Sequence, residues 1–230
     1  MATEGHWAWH DHRAHWMQSA RPFGLGPGDR ILEAVIPIVV DGGTVEVTVI
    51  STWLPEPSPL AMWFGVLGGL GLGVSLWFQR ARGIHPSAAV VPLAVLAVVV
   101  GVAQYLSLPA ATGPRPIWIV LPIIAVASAA VGVVLARRGM RFAADAALLL
   151  VGVELAVWGH LERDGLSAAI IPTDAPFWLD RFTTAFALAG GVAIAAVALW
   201  RLFAVPAPRP ELDALSDSKE LSGSPHPAHR

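Results

Sequence analysis

Apolar and polar positions divide this chain into five long apolar blocks, at 59–78, 87–108, 116–136, 142–161 and 182–203, separated by short polar joints. A helix rises about 1.5 Å per residue, so roughly 20 residues cover a hydrocarbon core of about 30 Å. Lipid offers no partner to backbone N–H and C=O groups, so each block is expected to close its own hydrogen bonds as a helix. Core helices of soluble proteins are shorter and amphipathic. The pattern therefore predicts a mainly α protein, a five-span transmembrane bundle over residues 59–203.

The segments outside the bundle read differently. Residues 1–58 form a polar head rich in Trp and His. Within it, Ile31–Val40 and Thr44–Trp53 are expected to pair as a β-hairpin over 31–53, with Asp41-Gly42-Gly43 as the turn. Val45, Val47 and Val49 alternate with Thr44, Glu46 and Thr48, which predicts one buried face. Pro37 implies an edge or a bulge. Pro55, Pro57 and Pro59 give a stiff lead into the first span. Residues 204–230 are rich in Pro, Ser and charge and are expected to be a disordered tail.

Arginine placement orients the bundle. The first joint carries Arg80 and Arg82, and the third carries Arg137, Arg138 and Arg141. The second has only Arg115, and the fourth mixes Arg163 and Arg181 with Glu162, Asp164, Asp174 and Asp180. Short cationic loops stay in the cytoplasm. Joints one and three are thus expected inside, with the head outside and the tail inside a bacterial inner (cell) membrane. Trp63, Trp77, Trp118, Trp158, Trp178 and Trp200 fall near the predicted interfaces. Met1–Met17 holds no apolar core segment of a signal peptide. Either the first span translocates a short head as a reverse anchor, or the true start lies upstream with a signal and more strands. The second fits better, because a lone hairpin is marginal in water.

Composition narrows the chemistry. A formal net charge of −2 leaves no nucleic-acid footprint. With no cysteine there is no disulfide framework, thiolate zinc site or thiol nucleophile. In the spans, Gly65, Gly69 and Gly73 recur on one helical face, which suits close packing in the bundle or a homo-oligomer. Pro92 and Pro122 predict kinks. Gln104 and Tyr105 mark an interface at the end of the second span. Asp145 is expected to pair with Arg141 one turn away or to snorkel. Glu154 is mid-span, with Trp158 and Glu162 on its face. It is expected to be a protonated acid bonded to another helix, or else a proton or cation site. No second central acid or base appears, which weighs against a proton relay.

The chemistry most visible in the chain is His6-Trp7-Ala8-Trp9-His10-Asp11-His12-Arg13-Ala14-His15-Trp16-Met17. His10 and His12 share a face of a strand, and His12 and His15 share a face of a helix. Either way two imidazoles converge. Imidazole suits copper, zinc and nickel, and a thioether favours cuprous ion. A copper site on His10, His12 and His15 is expected, with His6, Met17 and His160 as further ligands and Asp11 as a carboxylate ligand or an orienting partner. The bland alternative is an aromatic surface whose tryptophans pack on the hairpin or lie among lipid headgroups.

The stretch Trp9–Met17 resembles a W-H-D-H-R-x-H-W-M segment of uncharacterised polytopic membrane proteins of high-GC bacteria. The resemblance covers mainly the head and first span. It implies a signal peptide, a small β-rich extracytoplasmic domain and C-terminal spans, and it brings no activity with it. A looser likeness is to bacterial copper-resistance membrane proteins, which couple extracytoplasmic His/Met sites to spans. Three functions follow as expectations. The first is non-enzymatic handling of copper or another metal outside the membrane. The second is a structural or assembly subunit whose head docks an envelope partner. The third is a Glu154-dependent transporter. No nucleophile–base pair is visible, so an enzyme is not expected.

Overall fold

The structure is a computed structural model and describes residues 23–82, 84–108, 113 and 115–203. In chain order it contains β1 (Arg30–Val40), β2 (Gly43–Thr52), α1 (Leu60–Ala81), α2 (Ser87–Leu106), α3 (Ile117–Arg137), α4 (Arg141–Leu161), a 3-10 turn (Arg163–Leu166) and α5 (Phe177–Phe203). All five α-helices are long and apolar enough to cross a membrane, and the chain is a multi-pass membrane protein. The starts of α1, α3 and α5 and the ends of α2 and α4 lie at one end, called here the head end because the hairpin precedes α1. The other is the tail end.

Helices α2, α3, α4 and α5 close on one another in a ring, and α1 lies outside it, chiefly against α5. The core between them is built from Val90, Ala97, Val100, Leu148, Leu155 and Ile194. Leu67, Leu70, Val74, Val131, Val153 and Val192 are exposed on the outer faces, as lipid contact requires.

Small residues set the helix spacing. A Cβ added at Gly65 would lie 2.4 Å from the Phe182 carbonyl oxygen, and one at Gly69 would lie 2.5 Å from the Gly190 nitrogen. One at Gly73 would meet the Ala193 Cβ at 2.6 Å. The glycine face marked by spacing in α1 therefore lies against α5 of the same chain. A second seam, not evident from spacing, joins α4 to α5: a Cβ at Gly152 or Gly191 would come within 2.5 Å of the Ala195 or Ala156 nitrogen.

Three expectations need correction. Helix α5 begins at Phe177, not 182, because Asp180 and Arg181 enter the helix and find partners there. Trp158 is fully buried, and its Nε1–H donates to the Trp118 carbonyl at 3.1 Å, so this pair is core rather than interfacial belt. Trp63 and Trp178 are exposed at the head end, and Trp77 stacks on Trp200 at the tail end with ring centroids 4.1 Å apart.

The third correction concerns the hairpin. The turn is two residues, Asp41 and Gly42, both with positive φ (49° and 81°), which matches the right-handed twist of the strands. The bulge falls between Arg30 and Leu32 rather than at Pro37, which pairs with Glu46. Among the described residues both strands are edges, as the proline allowed. Of the face expected to be buried, only Ile36 is sealed, at 2% exposure, while Val45 is open. Two strands are too few to cover a face of their own.

Candidate functional site

His6, His10, His12, His15 and Met17 lie outside the described residues. His160 ends α4 and is exposed, and its carbonyl accepts a hydrogen bond from Arg163 Nη1 at 2.8 Å. Among the described residues no three His, Cys, Asp or Glu side chains gather as a metal site.

The described residues instead form a cleft at the head end. It encloses about 350 Å³ between the ends of α2, α3 and α4 and the joint leading to α5. Leu108, Trp118, Leu161, Ile170, Ile171 and Pro172 supply apolar walls, and Gln104, Arg115, Glu162 and Asp164 supply polar groups. Each is held by local structure. Ser107 Oγ donates to the Ala103 carbonyl at 2.7 Å and accepts the Asp174 N–H at 2.8 Å, which pins the joint to the end of α2. Arg181 Nη2 donates to the Ala168 carbonyl at 2.7 Å, which pins it to α5. The Arg115 guanidinium lies 5.4 Å from the centre of the Trp118 ring, a cation–π contact.

Gln104 is the hinge of this site. It is 1% exposed, and its Nε2 donates to Asp180 Oδ2 at 2.9 Å. Its Oε1 has no hydrogen-bond partner among the described residues. Gln104 is therefore no interface marker, as its place near the end of an apolar block suggested. It ties α2 to the buried acid of α5 beneath the cleft.

Glu162 closes α4, just outside its membrane-spanning segment. Burial pushes its carboxyl up to about 7, the Asp180 carboxylate adds to the rise, and Arg115 opposes it. The folded protein thus holds this proton more tightly than the unfolded chain. Stability should fall as pH rises from about 4.5 to 7 and level off above that. Glu162→Gln is uncharged throughout. It should melt higher than the native protein at pH 8 by on the order of 1–2 kcal/mol, with the gap closing by pH 5. Superimposable melting profiles across this range would show that the native carboxyl is fully hydrated.

A second polar cluster lies at the tail end. Asp145, buried in the first turns of α4, does not pair with Arg141, which is exposed. Its Oδ1 accepts from Arg201 Nε at 2.5 Å and from His85 Nε2 at 3.2 Å. One helical turn sets Arg141 and Asp145 on one face, but the inward-pointing Asp145 meets the end of α5 first. The Ser87 N–H and O–H both point at His85 Nδ1, at 3.3 and 2.9 Å, which makes Nδ1 the acceptor and Nε2–H the donor to Asp145. Ser87, His85 and Asp145 thus bond in the order of a nucleophile, base and acid, an order that chain spacing did not reveal. Ser87 is 1% exposed and packs on Gly132, whose added Cβ would lie 2.7 Å from Ser87 Oγ. With its hydroxyl enclosed, the relay serves to tie α2, α4 and α5 together.

Glu154 is half-buried and makes no hydrogen bond or ion pair with the described residues, so the expected bond to a neighbouring helix is not formed. Trp158, on its face, turns fully into the core. The intramembrane acid singled out by position thus stands apart from both polar clusters, and the acids at the helix ends are the ones that converge. No family model, curated protein or solved structure matches the chain.

Proposed function

We propose that this membrane protein is a non-enzymatic binding protein that captures a small cationic ligand on the extracytoplasmic side, in the head-end cleft. The observation that carries the reading is the row Glu162, Gln104 and Asp180. Glu162 lines a largely apolar cleft, and the buried amide of Gln104 beside it is bonded to a second carboxyl group, Asp180. A cation restores charge balance to the acids and can donate to the Glu162 carboxylate. The cleft volume suits a small molecule. Exposed Arg82, Arg137, Arg138 and Arg141 at the tail end support a cytoplasmic assignment for that end, which leaves the cleft outside.

A second reading, copper handling by the head, is favoured by three histidines within Trp9–Trp16. One calorimetric series on the purified full-length protein tests both. Butylammonium should bind saturably at millimolar concentration at pH 8, and Glu162→Gln should remove that binding. Copper should bind at micromolar concentration, weaken as pH falls through about 6.5 as imidazole protonates, and be lost when His10, His12 and His15 are all alanine. Butylammonium heats no larger than those of the Glu162→Gln variant would overturn the cleft reading. Absence of copper binding to the native chain would retire the second.

A further inference from the structure

Helix α4 carries a pattern that the core of the bundle does not use. Ala143, Ala147, Leu150, Glu154 and Val157 follow one another at steps of four, three, four and three residues, and none of them is buried. The residues that turn inward are others, among them Leu148, Val151, Leu155 and Trp158. The next position of the row, Leu161, already belongs to the cleft. Alternating steps of three and four make the seam along which two helices wind in a left-handed pair, the commonest packing of membrane helices. Lipid contact asks for apolar residues but sets no spacing. The small Ala143 and Ala147 let two backbones approach in the tail-end half of the seam.

Glu154 decides the occupant. It lies just past the middle of the span, on the seam, and it makes no hydrogen bond or ion pair with the described residues. Lipid tails offer nothing to a carboxyl group, and acids within membrane spans pair with other polar groups. Two copies of one chain insert in the same orientation, so a two-fold axis along the membrane normal sets both Glu154 residues at one depth. In a parallel, in-register pair a seam residue faces its own counterpart. A neutral carboxyl group is donor and acceptor at once, so the second copy satisfies it without any other polar residue. No other face of this chain does so: among the described residues, the spans carry Lys, Arg or His only near their ends. The glycine face of α1, the other candidate for self-association, is filled by α5 of the same chain.

We propose that the protein forms a parallel homodimer through α4, with the two Glu154 carboxyl groups hydrogen-bonded to each other within the seam. The apolar seam residues supply contact area. The acid sets register and partner, as a single polar seam residue does in a coiled coil.

The test uses the full-length protein in phosphatidylcholine bilayers and relies on the absence of native cysteine. Leu150→Cys and Val157→Cys should each give disulfide-linked dimers on oxidation with diamide. Leu70→Cys, on the exposed face of α1, should stay monomeric. Photobleaching of singly labelled protein over a lipid dilution series measures the dimer constant. Glu154→Leu should weaken it about tenfold or more, and Glu154→Gln should hold it within about threefold, because an amide also donates and accepts. Cross-linking requires no change at Glu154, so it decides the dimer even where Glu154→Leu melts early. Monomers at every dilution overturn the proposal and leave the face to lipid or to the helix of another protein. Cross-linking at Leu70→Cys as strong as at Val157→Cys overturns it too, as does a folded Glu154→Leu variant that dimerises as tightly as the native chain.

Discussion

Replacing Gly69 with isoleucine should leave little folded protein. The new Cβ would sit 2.5 Å from the Gly190 nitrogen and 2.9 Å from the Ala189 Cβ, and neither backbone can yield without separating α1 from α5. Overpacking at a backbone contact is among the few single changes that exceed about 4 kcal/mol. The control lies two residues along the same helix. Gly71 has no atom within 4 Å of its added Cβ, so Gly71→Ile should be tolerated. Detergent melting and monodisperse yield measure both. Similar losses at the two positions would mean that isoleucine acts through helix propensity rather than through the α1–α5 contact.

The second large effect is expected at the tail end. Asp145→Ala leaves the Arg201 guanidinium, whose side chain is only 10% exposed, without its counter-charge. Removing one partner of a buried pair costs about 3–5 kcal/mol, while replacing both with apolar groups of similar size is often neutral. The single variant should therefore be much less stable than the double variant Asp145→Leu/Arg201→Met. Arg141→Gln, by contrast, should be silent within about 0.5 kcal/mol, because Arg141 is exposed and plays no part in the cluster. Equal stability of the single and double variants would show that the two side chains are not energetically coupled.

These two expectations also show what a linear reading can and cannot reach. The five spans, the hairpin and the glycine face of α1 were legible because they depend on local periodicity: run length, alternation, and a repeat of four. Asp145 stands out as an intramembrane acid, but helical spacing points to Arg141, the neighbour one turn away. Its true partners, Arg201 and His85, are 56 and 60 residues distant. Gln104 and Asp180 are 76 residues apart, and nothing in either neighbourhood announces the other. The α4–α5 seam was missed for a related reason: Gly152 and Gly159 in α4, and Gly191 in α5, do not repeat at four. The head-end cleft is half visible in the sequence, since the mixed charges of the fourth joint bear on topology and do not show that they converge. Glu154 drew attention through depth alone, and depth does not reveal convergence. His10, His12 and His15 lie outside the described residues, so the copper reading rests on their spacing.

The seat of α1 bears on how the chain is made. Gly69 and Gly190 are about 120 residues apart, so α1 finds its partner only when α5 arrives. During synthesis α1 must wait in the bilayer with its glycine face open, while α2, α3 and α4 assemble beside it. A nascent chain stalled before α5 is then a recognisable intermediate, available to insertases and to membrane proteases. Completion of α5 closes the ring and captures α1 in a single event, so quality control of this protein is expected to read α5 rather than α1.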